Sequence, residues 1–92
     1  MQKIHAETLA KPAHIAIVTS RFNEDITNAL FEGAVARLNE LGIDNDHITA
    51  AFVPGAVEIP IAAQRFAKLD HIAAVICFGA VIKGETHHYE YV

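Results

Sequence analysis

The stretch IAAVICF, residues 72–78, runs directly into GAVIKGETHHYE, residues 79–90. Its first part is apolar at every position, which is typical of a strand buried on both faces of a parallel sheet. Its second part contains two glycines, a lysine, a threonine, two histidines and two carboxylates. Ligands of open α/β sheets bind beyond the carboxyl ends of the strands. The stretch therefore predicts both a fold class and the place of a functional site.

Two strand-and-helix pairs precede this stretch. Residues 14–19 and 48–53 are short apolar runs that predict strands. One helix is expected after Asn23 and is expected to end at Gly42, and a second is expected from about residue 58 to 69. The apolar stripes expected to face the sheet are Ile26, Leu30, Ala34, Leu38 and Leu41 in the first helix and Ile59, Ala62, Ala63 and Phe66 in the second. Residues 88–92 are interpreted as the start of a third helix.

The order β-α-β-α-β-α predicts an α/β domain with a parallel sheet and helices on both faces, a three-layer α/β/α arrangement. Residues 13–92 are assigned to this domain and residues 1–12 to an N-terminal arm. The third strand carries no charge that would protect an exposed edge, so we expect a neighbour on each side of it. We therefore expect a further part of the fold, from this polypeptide or from a partner, to cover that strand.

Composition narrows the classes of function. The 92 residues are 52% hydrophobic and 20% charged, with a net charge of −4. The sequence has no cluster of basic residues of the kind that indicates nucleic-acid binding. It also has no apolar run that approaches the ~20 residues of a membrane span. The single cysteine, Cys77, lies in an apolar run and is expected to be a small buried side chain. One cysteine allows no internal disulfide, which fits a cytoplasmic protein.

Three loops follow the three predicted strands, at residues 20–23, 54–58 and 79–88. Because parallel strands end at the same edge, these loops are expected to converge on one ligand. In the first loop, Phe22 is either a hydrophobic staple over the helix start or a stacking platform for a flat heterocycle. Asn23 is interpreted as a helix cap that can also contact ligand hydroxyls. In the second loop, Glu58 either complements the helix dipole or accepts hydrogen bonds from a polyol.

The third loop carries the most chemistry. Free backbone N–H groups at Gly84–Thr86, with the threonine hydroxyl, predict an anion site at a helix start. Lys83 is either an exposed side chain or a point charge for that anion. His87 and His88 lack the spacing of a zinc site, so no metal is expected, whereas a histidine beside an anion loop suits proton transfer. The other histidines, His5, His14, His47 and His71, are expected to have no chemical role.

Three motifs together resemble the lumazine synthase family of riboflavin biosynthesis: RFN at 21–23, VPGAVEIP at 53–60 and GAVIKGETHHYEYV at 79–92. The resemblance extends from residue 14 onward, in order and with the family's spacing. It implies a flavodoxin-like fold. It also implies the condensation of 5-amino-6-(ribitylamino)uracil with 3,4-dihydroxy-2-butanone 4-phosphate to 6,7-dimethyl-8-ribityllumazine, with release of phosphate and water. No cofactor and no metal are implied.

The resemblance also implies residue roles. His88 matches the family's catalytic histidine, which would shuttle protons during imine formation and phosphate loss. Phe22 would stack on the pyrimidine, and the backbone N–H groups of Glu85 and Thr86 would hold the phosphate. The implied substrate-binding residues are Phe22, Asn23, Ala56, Val57, Glu58, Ala80, Val81, Ile82, Glu85 and Thr86.

The chain departs from the family pattern in places. Val57 stands where an aromatic is frequent, Tyr89 stands where phenylalanine is common, and the family domain continues through a fourth strand and two more helices. The resemblance implies a homo-oligomer, a pentamer or a larger assembly, with active sites at subunit interfaces and with residues 2–6 pairing with the next subunit. Two other classes stay open: a non-catalytic module that binds ribityl or flavin-type ligands, and a purely structural flavodoxin-like interaction domain.

Overall fold

Three parallel strands form the sheet in the computed structural model, which describes residues 13–81. They are β1 (Ile15–Ser20), β2 (Ile48–Val53) and β3 (Ala74–Phe78), in the spatial order β2-β1-β3. In this register, Ile15 pairs with Ile48 on one side and with Ala74 on the other. The predicted parallel α/β architecture is confirmed, and it is that of a flavodoxin-like fold.

The two helices connect these strands. Helix α1 (Glu24–Glu40) joins β1 to β2, and α2 (Ile59–Ala67) joins β2 to β3. The first connection moves to one side of β1 and the second moves back past it. Because parallel crossovers are right-handed, connections that run in opposite directions place their helices on opposite faces of the sheet. The two connections therefore put helices above and below β1.

The core is centred on β1. All six of its residues are buried, and four of them, Ile15 to Val18, make up the buried apolar core of the described chain. A strand with a neighbour on each side and a helix over each face loses its solvent contact in every direction. This position explains why a continuous apolar run, rather than an alternating one, forms β1.

Helix α1 begins and ends as its sequence predicts. Glu24 and Asp25 lie in the first turn, where the helix dipole favours negative charge. At the other end, Gly42 has φ 94°, and the N–H of Ile43 donates to the carbonyl of Leu38 at 2.9 Å. The N–H of Gly42 also donates to Asn39 O at 3.0 Å, which completes a Schellman motif. The expected stop at Gly42 is confirmed.

The predicted apolar stripe of α1 is partly wrong. Ile26, Leu30 and Leu41 are 46%, 42% and 43% exposed, whereas Thr27 is fully buried. The remaining side chains on the less exposed face, all half-buried, are Phe31, Ala34, Val35 and Leu38. The first buried residue on the face toward the core is therefore a polar one, Thr27. A search for apolar residues at helical spacing selects Ile26 instead. Thr27 is accommodated because its hydroxyl donates to the carbonyl of Asn23 at 3.4 Å.

Helix α2 follows a short 3₁₀ helix, Ala56–Glu58, and has Pro60 in its first turn. Proline fits there because its missing N–H has no partner within the helix at that position. All four residues of the predicted stripe, Ile59, Ala62, Ala63 and Phe66, are half-buried, so the predicted face is confirmed. The helix ends at Ala67, two residues before the predicted end at Leu69.

Strand β3 differs from its prediction in one respect. Cys77 is exposed, so its expected burial is wrong for the chain that the structure describes. The physical reason is position, since β3 pairs with β1 alone among residues 13–81 and has no second strand beside it there. The predicted third helix from residue 88, the neighbour expected on the far side of β3 and the arm at residues 1–12 lie outside the described residues. Within residues 13–81, no helix is both long enough and apolar enough to cross a membrane.

Candidate functional site

The loops after β1 and β2 are joined at the carboxyl edge of the sheet. The N–H of Arg21 donates to the carbonyl of Val53 at 2.7 Å, which extends the β1–β2 ladder by one hydrogen bond beyond the last pair, Ser20 with Val53. Because this bond fixes the height at which both chains leave the sheet, the first and second loops start side by side. The predicted placement of these two loops at one edge of the sheet is confirmed, and their convergence on a ligand stays a prediction.

The loops after β2 and β3 meet at Gly79. A Cβ atom placed on this glycine would lie 3.1 Å from Ile59 Cδ1 and 3.3 Å from Ala56 Cβ. Such distances are tighter than ordinary van der Waals contact, so the backbone leaving β3 passes against the start of α2 because residue 79 has no side chain. The third loop thus begins in contact with the second, and all three loops start at one edge.

The segment Arg21–Asn23 has a fixed conformation. The N–H of Phe22 donates to Ser20 Oγ at 3.1 Å, and Asn23 has φ 60° and ψ 54°, the left-handed region. Asparagine enters this region more readily than most residues. The turn brings Phe22 to the surface with 43% of its area exposed. Part of the ring is thus accessible at the edge, as a stacking platform requires.

Asn23 is the N-cap residue of α1, as predicted, but its side chain does not cap the helix. Its side chain makes no capping hydrogen bond, while its carbonyl accepts from the N–H groups of Ile26 and Thr27 at 3.0 and 3.1 Å. The left-handed backbone explains the difference, since side-chain capping uses an extended Ncap residue. Asn23 Nδ2 is buried and has no hydrogen-bond partner among the described residues. A buried donor without a partner costs free energy, so this atom is suited to a ligand oxygen.

Glu58 has a structural role that the sequence left open. Its Oε2 accepts from the N–H of Gly55 at 3.1 Å, so the carboxylate closes the turn that starts the 3₁₀ helix. The other oxygen, Oε1, has no hydrogen bond within residues 13–81, and the side chain is exposed. A carboxylate oxygen accepts more than one hydrogen bond. The capping role and the predicted contact with a polyol are therefore compatible.

Two small cavities flank this edge. One, of about 260 Å³, is lined by Asn23, Glu24, Asp25 and Ile26 at the start of α1. The other, of about 380 Å³, lies beside α2 and is lined by Val53, Glu58, Ile61, Ala62, Arg65 and Phe66. Each is close to the lower limit of the ~300–1,000 Å³ that small-molecule pockets occupy. Each contains one of the predicted binding residues.

The remaining predicted site residues divide into two groups. Ala56, Ala80 and Val81 are half-buried at the carboxyl edge, and Val57 is 57% exposed there. Ile82, Glu85, Thr86 and His88 lie outside the described residues, as do Lys83 and His87. No group of three or more histidine, cysteine or carboxylate side chains within residues 13–81 is arranged to hold a metal ion.

A second cluster of titratable side chains lies at the opposite, amino edge of the sheet. The ring centroid of His14 is 5.1 Å from that of His71 and 6.0 Å from that of His47. His14 Nε2 is 2.9 Å from Thr49 Oγ1, and His47 Nδ1 is 2.8 Å from Asp44 Oδ1. The hydrogen bond with His47 lowers the pKa of the Asp44 carboxyl.

Sequence reasoning missed two features of the carboxyl edge. The Arg21 guanidinium carbon lies 5.9 Å from the centroid of the Phe52 ring, a cation–π distance. The RFN motif at 21–23 gives its arginine no role from sequence alone. The close approach at Gly79 was also missed. A glycine immediately after an apolar strand was the available signal for it.

Comparison with known proteins gives one family. A sequence model of the 6,7-dimethyl-8-ribityllumazine synthase family matches residues 12–92. A Coxiella burnetii protein named 6,7-dimethyl-8-ribityllumazine synthase is 54% identical over 78 residues, 85% of this chain and 52% of its own length. Proteins of the same name from Acidovorax sp. and Verminephrobacter eiseniae are each 48% identical over 82 residues, 89% of this chain and 53% of their own length. The chain thus spans about half the length of the curated relatives it matches.

Proposed function

Because this chain belongs to the 6,7-dimethyl-8-ribityllumazine synthase family, we propose that it contributes the substrate-binding edge of an enzyme of riboflavin biosynthesis. The proposed reaction condenses 5-amino-6-(ribitylamino)uracil with 3,4-dihydroxy-2-butanone 4-phosphate. An amine of the pyrimidine attacks the ketone, and the resulting addition product loses water to form an imine. Loss of phosphate and ring closure, with loss of water again, give 6,7-dimethyl-8-ribityllumazine.

The observation that carries this proposal is the meeting of three loops at one edge. Arg21 is hydrogen-bonded to Val53 at 2.7 Å, and Gly79 approaches Ala56 so closely that a Cβ would lie 3.3 Å from its Cβ. Residues separated by more than fifty positions in the sequence can therefore contact one ligand. Holding two substrates together in this way converts a bimolecular step into an effectively unimolecular one.

The heterocyclic substrate is assigned to the first and second loops. The exposed part of the Phe22 ring offers a face for the pyrimidine, and Asn23 Nδ2 is a buried donor without a partner among residues 13–81. The free oxygen of Glu58 would accept from ribityl hydroxyls, with the Ala56–Glu58 backbone beside it. Ala80, Val81 and Ile82 would line the pocket on the third-strand side.

The phosphate and the proton transfers are assigned to the third loop. Backbone N–H groups of Glu85 and Thr86 would hold the phosphate, and His88 would act as general acid and base. These assignments rest on the match of GAVIKGETHHYE to the family motif and on the chemistry of the side chains. Neither a metal nor a cofactor is part of the proposal.

The proposal extends to assembly and location. A small domain with an exposed Cys77 on β3 gains from a partner surface. We assign the protein to the cytoplasm as a homo-oligomer whose active sites lie between subunits.

Turnover tests the proposal directly. The chain is mixed with both substrates, and formation of 6,7-dimethyl-8-ribityllumazine and release of phosphate are followed together. Equal amounts of the two products in a time course are expected for the synthase. Binding of 6,7-dimethyl-8-ribityllumazine without turnover would replace the enzyme with the non-catalytic ligand-binding module. If the chain neither turns over the substrates nor binds the product, the structural interaction domain is the remaining alternative.

A further inference from the structure

Three side chains form a continuous stack behind the first loop. The Arg21 guanidinium carbon lies 5.9 Å from the centroid of the Phe52 ring, and the Phe52 ring lies 5.2 Å from that of Phe31 in an edge-to-face arrangement. Arg21 is in the loop after β1, Phe52 is in β2 and Phe31 is in α1. Both contacts have geometries that attract, the first through the ring's negative face and the second through its positive edge.

The stack supports a loop whose backbone is already constrained. The N–H of Arg21 donates to Val53 O at 2.7 Å, and that of Phe22 donates to Ser20 Oγ at 3.1 Å. Asn23 follows in the left-handed region. Three consecutive residues thus have a fixed conformation, and the arginine side chain adds a side-chain contact with β2 to the backbone hydrogen bond with Val53.

Phe52 is informative because its ring is 41% exposed on a strand at the side of the described sheet. An aliphatic residue would cover the same core surface and offer no quadrupole to a cation. An aromatic at this position, directly before Val53, has instead a face on which the guanidinium can rest.

We propose that Arg21 is a positioning residue for the heterocyclic substrate, acting through its stack on Phe52. By holding the loop against β2, the stack fixes the orientation in which Phe22 and Asn23 meet the pyrimidine. This inference rests on the proposed function of the site. It assigns to Arg21 no contact with a reacting atom.

A double-mutant cycle in the full chain tests the inference. The variants are Arg21→Ala, Phe52→Leu and the two together, and Phe52→Tyr serves as the conservative variant that keeps the ring. Each single change is expected to raise the KM for 5-amino-6-(ribitylamino)uracil about two- to fivefold, which corresponds to an exposed cation–π pair. The kcat is expected to stay unchanged, since positioning of a bound substrate by this loop is uniform binding.

The coupling between the two positions is the critical result. The double variant is expected to be no worse than either single variant, and Phe52→Tyr is expected to keep the KM of the parent. Urea midpoints of all variants are measured in parallel, so a general loss of folding is recognised separately. Where turnover is too slow, the same cycle is read from the Kd of 6,7-dimethyl-8-ribityllumazine.

Two results would overturn the inference while leaving the proposed function intact. The first is a parent enzyme that turns over while Arg21→Ala has an unchanged KM. The second is an effect of Arg21→Ala that persists in full in the Phe52→Leu background, which would mean that the arginine contacts the ligand itself. A parent that neither turns over nor binds the product would remove the proposed function, and the inference with it.

Discussion

The amino edge of the sheet gathers polar side chains from three segments and the carboxyl edge from two of the described loops, and the two edges differ in how those side chains are hydrogen-bonded. At the amino edge, His14, His47 and His71 precede β1, β2 and β3, and their rings lie 5.1 and 6.0 Å apart. His14 has Thr49 as a hydrogen-bond partner and His47 has Asp44. The polar side chains that meet at the amino edge therefore contact other side chains of the protein.

At the carboxyl edge the polar atoms are less well satisfied. Thr19 Oγ1 and Asn23 Nδ2 are buried without hydrogen-bond partners among the described residues. Thr19 is the next-to-last residue of β1, and Asn23 is the N-cap residue of α1. Asn23 has a left-handed backbone, and Gly79 permits an approach that a side chain would block. Native proteins leave few buried polar atoms unpaired, and those that remain call for an explanation. Parallel topology brings side chains together at either edge, whereas the unpaired buried atoms and the left-handed residue of the described chain lie toward the carboxyl edge, where the proposed site is.

The largest expected effect concerns the proposed catalytic histidine. His88→Ala is expected to slow turnover by about 10²–10⁴-fold, because general acid–base help is lost while substrate binding remains. His71→Ala, at the amino edge, is the matched control and is expected to keep the rate of the parent. Steady-state rates of phosphate release give both values. An unchanged rate for His88→Ala would remove the assignment of the catalytic histidine.

The next effect concerns the contact between the second and third loops. Gly79→Val is expected to destabilise the fold by about 1–3 kcal/mol, since added methyl groups crowd Ile59 and Ala56. Gly33→Val is the control, because a Cβ at Gly33 meets nothing within 4 Å. In an exposed helix this change is expected to alter stability by less than about 0.5 kcal/mol. Urea unfolding of both variants measures the difference, and equal midpoints would contradict the close approach at Gly79.

A smaller effect separates the backbone of Asn23 from its amide. Asn23→Gly keeps the left-handed conformation at no steric cost, whereas Asn23→Ala keeps the β-carbon but loses the polar side chain that makes this conformation accessible to asparagine, at a cost of about 1 kcal/mol. Both variants lose the buried donor, so both are expected to bind 6,7-dimethyl-8-ribityllumazine about 2- to 12-fold more weakly. Thermal unfolding and fluorescence titration give the two quantities. Equal affinity of the glycine variant and the parent would mean that Nδ2 does not reach the ligand.

The smallest effect belongs to the amino edge and depends on pH. The hydrogen bond from His47 lowers the pKa of Asp44 below its ordinary value of 3.8. A carboxyl whose pKa is lower in the folded state stabilises the fold at pH values above its unfolded-state pKa. This stabilisation is lost as the pH falls through the folded-state pKa. Asp44→Asn is therefore expected to be slightly less stable than the parent at about pH 5 and indistinguishable from it well below the lowered pKa.

Urea midpoints at several pH values test this expectation. Asp46→Asn is the matched control, since it makes the same substitution two residues away at a carboxylate that has no hydrogen bond within residues 13–81. A difference for Asp44→Asn that grows as the pH falls would contradict the sign of the linkage.

The fold could be predicted from the sequence because its signals are local. The apolar run 14–19 and the Gly42 stop each act within a few residues, and the structure confirms a strand and a helix end at these places. The stripe of α1 could not be read correctly, because a buried threonine, Thr27, takes a place that apolar periodicity gives to Ile26. Burial of a threonine depends on the Asn23 carbonyl that receives its hydroxyl, and that contact belongs to the folded turn.

The location of the site could be predicted from the sequence, but most of the contacts within it could not. Parallel topology alone put residues 20–23, 54–58 and 79–81 at one edge, as the Arg21–Val53 bond and the Gly79 contact confirm. The stacking of Arg21 on Phe52 links positions 31 residues apart in sequence, and no local pattern encodes it. Likewise, the lack of a capping hydrogen bond from the Asn23 side chain follows from a left-handed backbone conformation that the residue type permits but does not require.

The most direct test of the difference between the edges is to map where a ligand binds. The chain, labelled with ¹⁵N, is titrated with 6,7-dimethyl-8-ribityllumazine while backbone amide shifts are recorded. We predict saturable shifts at Phe22, Asn23, Val57 and Ala80, with His14, His47 and His71 unmoved. Saturable shifts centred on the three histidines, or none at the carboxyl edge, would contradict the account.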